Sequence, residues 1–147
     1  MKSDIKITGK LIDSINELLE VLLPGIEGIN LERIKKLLEN PFLDVFILEI
    51  DGRVAGMVSL HYMETLVKKS AWVEDVVVHP KHQGKGLGKK MMKHVIREAG
   101  KKGVKHLDLT SNSKRVAANS LYQKLKFEPR ETNVYRLKVK KKSKNAR

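Results

Sequence analysis

The sequence predicts a mixed α/β domain: two helices first, then a β-meander, then a strand–loop–helix–strand crossover. Three observations carry this reading. Apolar residues recur at helical spacing before residue 40. Strand-like runs start at Asp44 and are broken by Asp51-Gly52. Three alternate glycines then separate a valine-rich run from a further amphipathic pattern.

In order, Ile5 and Ile7 suggest a short β-rich opening, and Leu11, Ile12, Ile15, Leu18, Leu19, Leu22 and Leu23 mark a first helix stopped by Pro24-Gly25. Leu31, Ile34, Leu37 and Leu38 mark a second helix ending before Pro41. Val45–Ile50 and Arg53–Met63 form a hairpin, because Asp-Gly suits the positive φ angles of a tight turn. Ala71–Val78 is apolar on both faces near its end and reads as a central strand. Leu87, Met91, Met92, Val95, Ile96 and Ala99 give a third helix, and Val104–Thr110 another strand. Ala118–Leu125 is a short helix, a strand begins at Phe127, and Val134–Val139 alternates as the last one. Residues 1–140 are expected to form a single domain, and 141–147 a basic, disordered tail.

Composition excludes several classes of function. The 147 residues contain no cysteine, which removes a disulfide scaffold, a thiol nucleophile and thiolate zinc sites. Apolar runs are too short to span a membrane, and the first ten residues lack a secretory apolar core, so a cytoplasmic location is expected. The five histidines show no metal-ligand spacing, and no metal site is expected. The net charge of +13 is unevenly spread: residues 1–78 hold 9 basic and 13 acidic side chains, residues 79–147 hold 21 basic and 4 acidic. The second part is built to meet an anion. Nucleic acid is disfavoured, since aromatic residues make up 5% of the chain, none interleaves the basic loop and no base-reading motif is present.

The anion site is Val76–Lys90, where a strand runs through Gly84, Gly86 and Gly88 into a helix. Glycines allow close backbone approach, the helix start offers unpaired N–H groups and a positive dipole end, and Lys85, Lys89 and Lys90 add charge. The loop is not a Walker A motif, because Gln83 stands where its first glycine belongs and Lys90 where Ser or Thr does. Nor is it G-x-G-x-x-G, since Lys89 and Met91 occupy the third glycine in the two possible registers.

The pattern Gln-x-x-Gly-x-Gly at Gln83–Gly88 resembles the acetyl-CoA pyrophosphate loop of the GNAT superfamily of N-acetyltransferases. Asn119–Phe127 is similar to that family's N-x-x-Y-x-x-x-G-F segment, with Lys126 where glycine is usual. The resemblance covers residues 44–139 in order, and the two opening helices suit it. It implies a mostly antiparallel central sheet with two opening helices, a cofactor-binding helix and a short C-terminal-side helix. It also implies acetyl-CoA as co-substrate, lying between the Ala71–Val78 and Val104–Thr110 strands. The backbone of Val76, Val77 and Val78 would bond pantetheine, and the amides of Gly84, Lys85, Gly86, Leu87, Gly88 and Lys89, with Gln83, the pyrophosphate. Asn119 would touch the cofactor, and Tyr122 would protonate the departing thiolate.

Glu74 is the expected general base and Asp75 its alternate, the two projecting to opposite faces of a strand beside an apolar cleft. The expected reaction moves an acetyl group to a primary amine, of a small molecule or a protein, by direct attack in a ternary complex. The acidic balance of residues 1–78 suits a cationic acceptor, with Glu27, Glu64, Glu74 and Asp75 as the acids of interest. A non-catalytic acyl-CoA-binding module or a basic nucleic-acid-binding module is the competing reading, and the chain is expected to be a monomer or homodimer.

Overall fold

The computed structural model describes residues 6–139. Helix α1 (Gly9–Leu22) starts where Thr8 Oγ1 accepts the Leu11 N–H at 3.2 Å, and α2 (Leu31–Glu39) starts on the Asn30 side chain, which accepts from Arg33 N at 2.9 Å. Strands β1 (Leu43–Ile50) and β2 (Arg53–Glu64) form the expected hairpin, with Asp51 (φ 50°) and Gly52 (φ 71°) at its turn. β3 (Lys69–Val78) pairs antiparallel with β2. A short 3₁₀ turn at Pro80–His82 leads into the glycine loop and α3 (Leu87–Lys101). β4 (His106–Asp108) lies parallel to β3, and α4 (Val116–Lys124) follows.

The sheet order is β1-β2-β3-β4, with one core on each face. On one side Met92 and Val95 of α3 and Tyr122 of α4 pack on Val58 and Leu60. On the other, Ile15 and Leu18 of α1 and Ile34 of α2 pack on Met57 and Val77. Burial of such side chains is the main stabilising term of the fold.

Two expectations of strand extent fail. β4 spans three residues rather than Val104–Thr110, because pairing with β3 stops at Trp72↔Asp108. Neither Phe127 nor Val134–Val139 is in a strand; among the described residues they make no ladder, and Val134 to Val139 lie exposed. Ile7 is likewise outside any strand, while Ile5 and the 141–147 tail lie outside the described residues.

Alternation is also broken inside β3. Ser59 pairs with Glu74 but Met57 with Val77, so Asp75 and Val76 oppose the single residue Val58. This is a β-bulge, and Asp75 adopts φ 54°, unusual for a residue with a side chain. Ahead of it Ala71 and Val73 face the α3 core; beyond it Val76 and Val78 pack there and Val77 faces the α1 core. The extra residue shifts the strand's phase by one.

Candidate active site

The bulge decides where the two carboxylates go. Glu74 and Asp75 do not project to opposite faces: both line a cavity of about 920 Å³ between the sheet and helices α1 and α2. Asp75 Oδ2 accepts a 2.6 Å hydrogen bond from Ser59 Oγ, which ties the bulged residue to β2. Both residues are exposed rather than set in an apolar cleft.

Much of the cavity wall is aliphatic, with Leu11, Ile15, Leu19, Ile34, Leu37 and Ile47 among its residues. Glu27 and His61 also line it, but Glu64, at the exposed end of β2, does not. Lys36 and Lys102 are in the wall as well, each already paired: Lys36 with Glu32 at 2.8 Å, Lys102 with Asp44 at 2.7 Å. The Asp44 carboxylate also accepts from Tyr62 Oη at 2.8 Å. Burial, then that carboxylate, drives the Tyr62 hydroxyl far above its ordinary range.

The loop ahead of α2 forms one rim of the cavity, and Asn16 holds it. Its side chain accepts from Ile29 N at 2.8 Å and donates to Ile29 O at 3.0 Å, satisfying both polar groups of one loop residue from α1. Sequence reasoning missed this residue, since a lone Asn inside a helical pattern carries no signal of a partner 13 positions away. Asn16→Ala is expected to cost about 1–3 kcal/mol, because two loop groups lose their partner. Thermal unfolding checks this.

On the opposite side of β3, pairing with β4 ends at Trp72 and the two strands part. The Val76 carbonyl accepts from Arg115 Nη2 at 3.2 Å, and the Val78 carbonyl from Gln83 Nε2 at 2.9 Å. The carbonyls of Val76 and Val78, in the strand whose backbone the family resemblance assigns to pantetheine, are thus bonded by the chain's own side chains. Gln83 anchors the loop to the strand, and Arg115 does the same from the start of α4.

Gly84 and Gly86 both have φ +75°, with nothing within 4 Å of where a Cβ would stand. The backbone conformation favours glycine there, and the space above it is open. Gly86 caps α3 without a side-chain hydrogen bond, and the first helical bond runs from Lys90 N to Gly86 O at 3.1 Å. The amides just ahead of it therefore have no helical acceptor. Gly88 acts differently: a Cβ would stand 3.3 Å from Leu121 Cδ2, so its missing side chain lets α4 pack on α3.

Tyr122 is 6% exposed and packs edge-on to Phe127, with ring centroids 6.0 Å apart. Burial raises its pKa, opposed by the nearby Arg115 charge. Its hydroxyl bonds no described residue. The Asn119 amide nitrogen donates to Asn112 O at 3.0 Å and ties down the loop before α4. On that loop the Ser111 hydroxyl is buried without a partner among the described residues. Lys126 takes φ 69°, the turn geometry that the family's glycine provides more cheaply.

A family model described as acetyltransferase (GNAT) family matches residues 12–127. The chain belongs to this family. Its match to a Bacillus subtilis protein, provisionally assigned as a [ribosomal protein bS18]-alanine N-acetyltransferase, is 26% identical over 64% of the chain and 60% of the relative. Its match to a streptothricin acetyltransferase of Streptomyces lavendulae is 33% identical over 52% of the chain and 40% of the relative. In both, the match spans less than two thirds of the relative's length. Among solved structures, an aminoglycoside acetyltransferase from an uncultured soil metagenomic sample shares the fold, with a TM-score of 0.78 at 20% identity, over 88% of each chain. The GNAT fold here comprises the mixed, mostly antiparallel sheet and the four helices described above. No described helix is long and apolar enough to cross a membrane.

Proposed function

We propose that this GNAT-family chain is an N-acetyltransferase that moves an acetyl group from acetyl-CoA to a primary amine by direct attack in a ternary complex. The observation that carries this reading is the bulge at Asp75. It sets two carboxylates in a cavity on one face of β3, while the same strand parts from β4 on its edge, next to the glycine loop. One strand can then serve two ligands that must meet.

The residues present fit acetyl-CoA. The open space over Gly84 and Gly86, the free amides at the start of α3 and the lysines 85, 89 and 90 suit a pyrophosphate. Val76 to Val78 offer backbone for a pantetheine amide, and Ser111 brings an unsatisfied hydroxyl to the adjoining loop. When bound, the thioester supplies an activated acetyl group. Glu74, with Asp75 as alternate, takes the proton that the incoming amine must lose, directly or through water. The Tyr122 hydroxyl gives its proton to the leaving thiolate.

The acceptor carries its amine on a partly aliphatic body. A wall of leucine and isoleucine leaves the hydroxyls of a densely polar substrate without partners, whereas Glu27, Glu74 and Asp75 suit the ammonium group. The names of the relatives span a protein amino group and antibiotic amines, and the aliphatic wall supports a peptide or lipophilic amine over a polyhydroxylated one.

Thermal unfolding with acetyl-CoA, with ATP and a short RNA as polyanion controls, tests the cofactor. A ligand at 100 times its Kd stabilises by about 2.7 kcal/mol, which raises Tm by several degrees. A rise with acetyl-CoA alone is expected; an equal rise with all three overturns the reading. For the base, Glu74→Gln is expected to flatten the acidic limb of the pH–rate profile, and a persisting limb moves the role to Asp75.

A further inference from the structure

The wall of the acceptor cavity holds three cations, and two of them are already committed. Lys36 bonds Glu32 at 2.8 Å. Lys102 bonds Asp44 at 2.7 Å, with its Nζ 4.2 Å above the Tyr62 ring. Arg33 is different. Its backbone N–H is capped by Asn30, but its guanidinium makes no hydrogen bond or ion pair with any described residue. Glu27, on the loop ahead of α2, lines the same cavity and does not pair with it. Arg33 is exposed, so its five N–H donors are held by water that a ligand can displace.

The carboxylates proposed to receive the amine stand elsewhere in the wall. Glu74 and Asp75 are on β3, and among the described residues neither forms an ion pair. Helix α2 packs against β1, and β2 separates β1 from β3. At about 4.8 Å between neighbouring strands, two spacings put roughly 10 Å between the arginine's helix and the acids. The wall between them is apolar, with Leu37, Ile47 and Met57. An ammonium, an apolar body and an anion in that order would complement it. An extended peptide rises about 3.3 Å per residue, so three residues cover the distance. A guanidinium stays charged at any working pH, and its planar fork matches a carboxylate with two parallel hydrogen bonds.

On the basis of the acetyl-transfer reading above, we propose that Arg33 sets acceptor specificity by receiving a carboxylate about three residues from the amine. The acceptor is then a peptide with an acidic group close to its free N-terminus. That group is either a side chain of a longer polypeptide or the C-terminal carboxylate of a short one.

Two pairs of peptides test this, by calorimetry with CoA present and by transfer from acetyl-CoA. Ala-Leu-Glu amide against Ala-Leu-Gln amide puts the charge on a side chain. Ala-Leu-Leu acid against Ala-Leu-Leu amide puts it at the chain end. In one pair the charged member is expected to bind about tenfold more tightly, with KM lower by the same factor, and that pair identifies the source. Arg33→Leu is expected to bring the ratio to about one, and Arg33→Lys, which keeps the charge and loses the fork, to recover part of it. Equal affinities within both pairs, no binding of any peptide, or a preference that survives Arg33→Leu overturns the role of Arg33; acetylation of any amine then leaves the transferase reading standing. A preference that vanishes in Arg33→Leu with no acetyl transfer keeps Arg33 as the carboxylate site and overturns the transferase reading instead.

Discussion

Replacing Tyr122 with phenylalanine is expected to lower kcat about 100-fold and to leave the Kd for acetyl-CoA unchanged. The substitution removes one oxygen and keeps the ring, and with it the edge contact to Phe127 at 6.0 Å and a place in the core beside Met92. What it takes away is a hydroxyl that bonds no described residue and that burial keeps protonated. Rapid-quench or steady-state rates with acetyl-CoA and the best amine of a panel measure the first effect, and calorimetry the second. An unchanged kcat would remove Tyr122 from the reaction. The same burial has a consequence for stability. The folded state favours the neutral hydroxyl, so the contribution is complete below the unfolded pKa of about 10. It is lost as pH rises through the higher folded value. Tyr122→Phe should therefore resist alkaline unfolding better than the parent, and Tyr62 leaves part of the alkaline loss in place.

The second large effect concerns stability and binding together. Gly56→Val is expected to cost about 1–3 kcal/mol through overpacking and to weaken acetyl-CoA binding as well. A Cβ at Gly56 would stand 2.7 Å from Met91 Sδ and 3.1 Å from the Val77 carbonyl. The thioether can swing aside, but the carbonyl belongs to the central strand, so the added side chain pushes α3 away from the sheet. Met91 lies in the second turn of that helix, and the helix begins at the glycine loop. Moving it moves the amides proposed to hold the pyrophosphate. A fall of several degrees in Tm with an unchanged Kd would show that the loop keeps its shape independently of Met91.

The loop and the strand before it were legible because their chemistry is local. Glycines at 84 and 86 declare a backbone that turns with positive φ, and valines at 76–78 declare a buried strand. The bulge was not legible. Nothing in Val73-Glu74-Asp75-Val76 announces an extra residue, since the aspartate at φ 54° is bonded to Ser59, sixteen positions earlier. A simple alternation therefore sent Glu74 and Asp75 to opposite faces, when both line one cavity. Asn119 illustrates a similar limit: its spacing from Tyr122 set both on one side of a helix, but gave no sign that its amide nitrogen donates to Asn112 O. Arg115 and Ser111 stand out only once Val76 and the loop before α4 are in place. At the C-terminal end the alternation at Val134–Val139 was read as a strand, yet a sequence pattern names no pairing partner, and within this chain's described residues there is none.

The phase shift at Asp75 also marks a boundary between two portions of the chain. The elements that supply most of the cavity wall, α1, α2, β1 and β2, precede it, with Lys102 at the end of α3 the exception, and the glycine loop, α3 and α4 follow. The charge boundary falls at nearly the same place, with an acidic excess through Val78 and a strongly basic remainder. Substitutions on the cavity face of α1 and α2 are expected to change what can enter and to leave the glycine loop in place, whereas β2, which carries Gly56 against Met91, serves both portions. Selection for a new acceptor would therefore work first on the two opening helices, which pack on the cavity face of the sheet and carry none of the residues proposed for the transfer itself.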